Sequence, residues 1–91
     1  MADAIILTKV KTGLGVTGTY QDGTLMMHID EVIDFLIDGG VPKSVVNSDA
    51  AVGVITRGVA DLWAGGSSET RFSEYFFQRV AQLKYRSDKD V

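Results

Sequence analysis

The sequence predicts an all-α fold, a small bundle of three main helices plus a short N-terminal helix. Three observations carry that expectation. Apolar residues recur at three- and four-residue spacing, glycines stand where those runs stop, and strand-like alternation is missing. The 91 residues, 45% of them apolar, suit a single domain with a single core.

The elements follow in order. Thr8 is the expected cap of the first helix, Leu7, Val10 and Leu14 its apolar face, and Gly15 its stop. A loop over 16–21 then leads to Asp22, the expected N-cap of the second helix, roughly 22–38. Leu25, Ile29, Val32 and Leu36 form its apolar stripe, widened by Met26, Ile33 and Ile37. Gly39 and Gly40 end it, and Pro42 bars continuation. Asn47 or Ser48 is expected to cap the third helix, with Asp49 in its first turn. Val52, Ile55, Val59 and Leu62 give that helix its apolar face, and Gly65-Gly66 closes it near residue 64. Gly53 and Gly58 inside it each cost about 1 kcal/mol relative to alanine, so both are expected where another backbone comes close. The fourth helix opens at Ser73, with Phe72 and Phe77 at the spacing of a hydrophobic staple. Its core residues are expected to be Phe76, Val80 and Leu83. Residues 1–86 read as the helical domain, and 87–91 as a polar, flexible tail.

Composition narrows the chemistry. The chain has no cysteine, which excludes disulfides and thiolate nucleophiles, and one histidine, His28, too few for a multi-histidine metal centre. Gly13-Leu14-Gly15-Val16-Thr17-Gly18 matches the dinucleotide pattern letter for letter, but a helix precedes it where a strand is needed. It reads as a glycine-rich turn. No nucleophile–base pair stands out, and no catalytic, cofactor or metal site is expected. The net charge of −3 argues against nucleic-acid binding. The opening run Ala4-Ile5-Ile6-Leu7 is too short for a signal peptide, and no stretch is long enough to span a bilayer.

The charge is unevenly spread, with three lysines against seven acids in residues 1–50 and six basic groups against five acids thereafter. Asp30, Asp34 and Asp38 stand at i, i+4, i+8, an acidic stripe opposite the core face. It is either a solvated face or a surface met by basic groups of a neighbouring subunit. Arg57, Arg71, Arg79, Lys84 and Arg86 are the candidates for those groups.

The order of segments resembles the small head–tail connector (adaptor, head-completion) proteins of tailed bacteriophages and prophages. The resemblance covers about residues 5–86. It begins with Leu7-Thr8-Lys9-Val10-Lys11-Thr12-Gly13-Leu14, similar to the family's Leu-Thr-x-x-Lys-x-x-Leu start. It continues through Asp22 into Leu25…Ile29-Asp30-Glu31-Val32, then Ser48-Asp49-Ala50-Ala51-Val52 and Val59-Ala60-Asp61-Leu62-Trp63. Phe72-Ser73, Tyr75-Phe76-Phe77-Gln78-Arg79-Val80 and Leu83-Lys84-Tyr85-Arg86 match the closing helix. Many family members carry a proline before that tyrosine, which this chain lacks. The resemblance implies a non-enzymatic virion protein at the head–tail junction, without cofactors, assembled in the bacterial cytoplasm. Its partners would be further copies in a ring of about a dozen, the portal protein, and the next head-completion or tail protein. DNA would be passing cargo, and the acidic stripe would line either the channel or a subunit interface. The competing expectation is a small regulatory or adaptor domain of helix-turn-helix type, acting by protein or weak DNA binding.

Overall fold

The computed structural model describes residues 4–64 and 72–89, with side chains described over 4–63 and 72–85. The fold is all-α, with no strand among the described residues. Helix α1 covers Ala4–Leu14, α2 Asp22–Asp38 and α3 Lys43–Val46. A 3₁₀ turn at Asp49–Ala51 runs directly into α4, Val52–Ala64, and α5 covers Glu74–Lys89. Helix α4 is the centre of the packing, with α1, α2 and α5 all set against it.

The stripes read from spacing meet in one core. Leu25, Ile29, Val32 and Leu36 of α2, Ile55, Val59 and Leu62 of α4, and Phe76, Val80 and Leu83 of α5 are buried together with Val10 of α1. Val52 is only half-buried: the buried face of α4 runs through Val54, Ile55, Gly58, Val59 and Leu62, which leaves Val52 at its edge.

Both glycine stops work through the same backbone geometry. Gly40 has φ +103°, its N–H donates to the Ile37 carbonyl, and the Val41 N–H reaches back to Leu36 at 2.9 Å. Gly15, at φ +73°, does the same for α1, with Val16 N–H donating to Lys11 at 3.0 Å. In each case a left-handed residue satisfies carbonyls that a helix end leaves open. Gly13 to Gly18 is therefore a helix end and a turn, not a phosphate cradle. The ammonium of Lys11 closes that turn, donating to the Gly18 carbonyl and to Asp22 Oδ1, the latter at 2.7 Å.

Several caps differ from expectation. Thr8 lies inside α1, where its hydroxyl donates to the Ala4 carbonyl at 2.9 Å, a bond available only to a helical threonine. Asp22 is the first residue of α2 rather than its cap, and its carboxylate is engaged by Lys11. Ser48 precedes the 3₁₀ turn, but its hydroxyl donates to Val45 and not to the turn. Helix α3 was not expected at all, since four residues are too few to show a period. Helix α5 continues through 87–89, three residues read from the sequence as tail. Gly65-Gly66 lies outside the described residues.

Two glycines admit close packing. A β-carbon on Gly58 would sit 2.6 Å from Phe76 Cε1 and 3.0 Å from both methyls of Val32. One on Gly13 would meet Thr56 Cγ2 at 2.8 Å, so α1 crosses α4 closely there. Gly53, expected to act likewise, does not: the nearest group is Arg79 Nη2 at 3.7 Å, an ordinary contact. Gly53→Ala is accordingly expected to stabilise the fold by about 0.5–1 kcal/mol. A urea midpoint that rises at constant slope would record it.

Candidate functional site

Helix α2 carries five carboxylates, Asp22, Asp30, Glu31, Asp34 and Asp38, and no lysine or arginine. Glu31, Asp34 and Asp38 are exposed, and Asp30 is half-buried, so the acidic stripe does lie on the outer side. Among the described residues no ion pair reaches Glu31, Asp34 or Asp38.

The basic candidates separate. Lys84 is exposed and its ammonium lies beside Gly40, at the C-terminal end of α2, where a cation complements the helix dipole. Arg79 donates to Gln82 Oε1 at 3.0 Å on its own helix. Arg71 and the side chain of Arg86 lie outside the described residues.

Arg57 is taken up inside the subunit. Its Nη2 donates to Asp61 Oδ1 at 2.5 Å, and Asp61 is only 8% exposed. The other carboxylate oxygen of Asp61 accepts both the backbone N–H of Ser73, at 2.9 Å, and the Ser73 hydroxyl, at 2.8 Å. The Ser73 oxygen in turn accepts the Phe76 N–H at 3.1 Å, the cap bond expected of Ser73. One aspartate thus joins the last turns of α4 to the first turn of α5. Burial pushes the Asp61 carboxyl up. The hydrogen bonds from Arg57 and from the Ser73 backbone and hydroxyl, with the Arg57 charge, outweigh it and hold the group below the usual carboxylate range. Asp61 was not singled out from the sequence; the Arg57–Asp61 spacing is the one local signal, and it looks like any surface pair.

The staple forms as expected, with Phe72 and Phe77 edge to face at 6.3 Å. It belongs to a larger aromatic cluster, since Phe72 stacks on Phe76 at 4.3 Å and Phe35 of α2 lies 4.8 Å from Phe72. Phe77, Ala81, Lys84 and Tyr85 line an open groove along the outer side of α5. His28 meets Trp63 edge to face at 6.3 Å and has no acidic or nucleophilic partner among the contacts described.

A further concavity lies where α1, α2, α3 and α4 converge. It holds about 330 Å³, floored by Ile6, Ile33, Val46 and Ile55. Its rim is polar. Asn47 and Ser48 stand there beside an ion pair between Lys9 Nζ and Asp49 Oδ1 at 2.8 Å. The hydrogen bond and charge of Lys9 hold the Asp49 carboxyl below its ordinary value. Tyr20, in the turn between α1 and α2, is 96% exposed.

No group of three or more metal-type ligands occurs among the described residues, and no described helix is long and apolar enough to cross a membrane. Comparisons with family models, curated proteins and solved structures give no match.

Proposed function

We propose that the chain is a structural subunit of a phage head–tail connector, working by assembly into a ring beneath the portal. The observation that carries the reading is the outer surface of the subunit. Tyr20, Met27, Tyr75, Phe77 and Tyr85 are large apolar side chains left on the outside of a 91-residue domain that already buries a continuous core. Such residues on several faces suit a protein that meets neighbours on more than one side. The acidic stripe on the outer side of α2, which carries no basic residue, supports either role open to it, contact with a basic neighbour or a channel wall that repels phosphate. The order of segments along the sequence, which resembles that of the connector family, is what points to this particular role.

Electron microscopy of the concentrated protein, alone and mixed with the portal protein from the same genome, tests the reading. Annular particles, or an added layer on portal rings, are expected; their absence in both samples would overturn it. Asp34→Lys separates the two roles of α2. Light scattering should show weakened assembly if the stripe meets a neighbour, whereas unchanged assembly places it away from subunit contacts.

A further inference from the structure

The open groove along α5 continues onto α2. Phe77, Ala81, Lys84 and Tyr85 share one flank of α5, and Phe35 of α2 lies 6.0 Å from Phe77. Phe35, Phe77 and Tyr85 together leave roughly 300 Å² of side-chain surface outside, at about 200 Å² per aromatic residue. A patch of about that size is often a functional one on a single-chain protein.

The patch has a charged edge. Glu31, Phe35 and Asp38 stand at i, i+4, i+7 on one side of α2, and both carboxylates are exposed. Neither is held by an ion pair among the described residues. Lys84, beside Gly40 at the end of α2, offsets one charge, and with Asp34 the edge stays negative. Its complement is an apolar side chain with a cation about one helical turn away.

The opposite flank of α5 has that composition. Tyr75 is exposed, and Arg79 follows it by four residues, about 6 Å along a helix. Arg79 reaches over Gly53 of α4, on the side of α5 away from Phe77. Among the described residues its hydrogen-bond partner is the neutral amide of Gln82, and no carboxylate pairs with it. Phe35 and Asp38 are about 4.5 Å apart along α2. A tyrosine laid against the Phe35 and Phe77 rings thus brings a guanidinium four residues on to the Asp38 carboxylate.

We infer that the Tyr75–Arg79 flank of α5 in one copy packs into the Phe35–Phe77–Tyr85 groove of the next, with Arg79 paired to Asp38. The two flanks lie on opposite sides of one helix, so a copy cannot satisfy itself and can engage two neighbours at once. The contact is head-to-tail, and its repetition closes into a ring or continues as a filament according to the rotation between copies. The inference rests on the reading of the chain as self-assembling, and it assigns the acidic side of α2 to a subunit contact.

Charge reversal tests it. Sedimentation velocity of the concentrated protein is expected to show Arg79→Glu and Asp38→Lys each weakening assembly about tenfold or more, as for the loss of a strong interface contact. Combining the two in one chain re-forms the pair with its signs exchanged and should restore assembly. Ala81→Trp fills the groove without changing charge and should block assembly, with circular dichroism confirming that each variant is folded. Assembly indifferent to these substitutions would overturn the inference and leave the connector reading standing. So would a double variant no better than either single one. A chain that stays monomeric with and without portal overturns both.

Discussion

Gly58→Val is expected to cost about 3 kcal/mol or more, a large share of the stability of a domain this size. Three surfaces converge on that position. The first added carbon would already overlap Phe76 Cε1 and press on both Val32 methyls. Phe76 has nowhere to go, since it is fully buried and stacked on Phe72, and Val32 is fully buried as well. Gly58→Ala should cost about 1–2 kcal/mol, the overlap being partly offset by alanine's better helix propensity. The sign is the informative part. The same substitution five residues earlier, at Gly53, is expected to stabilise, although both glycines lie in one helix. Thermal unfolding of the pair, with Tm moving in opposite directions, checks it. Two upward shifts of similar size would show that α2 and α5 do not pack on Gly58 in this way.

Asp61→Ala is expected to cost about 2–3 kcal/mol. It removes the acceptor of three hydrogen bonds and leaves the Ser73 N–H without its partner. It also abandons a guanidinium whose Nε is buried with no other partner among the described residues. The figure lies below that for a fully buried pair, because the Arg57 side chain is 41% exposed and can rehydrate. The pH dependence follows from the lowered pKa. A carboxyl held below its unfolded value, about 3.9, contributes its full stabilisation above that value. The contribution is lost as pH falls through the folded pKa. The stability gap between wild type and Asp61→Asn should therefore be constant near neutrality and shrink below about pH 4. Denaturant titrations at pH 7 and pH 3 measure it. A gap that widens on acidification would mean that Asp61 is not held as a carboxylate.

Helix α2 and the opening of α5 were legible in the sequence because their signals are local. A four-three-four run such as Leu25, Ile29, Val32, Leu36 can face only one way on a helix, and Ser73 with Phe72 and Phe77 describes a cap within six residues. Thr8 misled because the same hydroxyl serves as a cap at a helix end and as a donor to the i−4 carbonyl inside one. Spacing cannot distinguish those roles. Asp61 was hidden for a different reason. Arg57 and Asp61 form an ordinary i, i+4 pair, and only the return of the chain at Ser73, twelve residues on, buries it. The candidate surfaces divide in the same manner. The exposure of Asp34 and Asp38 follows from helical phase alone, whereas the pocket is assembled from residues as distant as Ile6 and Ile55.

The Lys11 ammonium that ties Gly18 to Asp22 has a thermodynamic consequence of its own. A glycine-rich loop ordinarily loses conformational entropy when a partner fixes it, and that loss is subtracted from the affinity. Here the loop between α1 and α2 is already held at its middle and at its far end before anything touches Tyr20. Whatever surface Tyr20 meets, it meets from a backbone whose ordering was completed when the subunit folded.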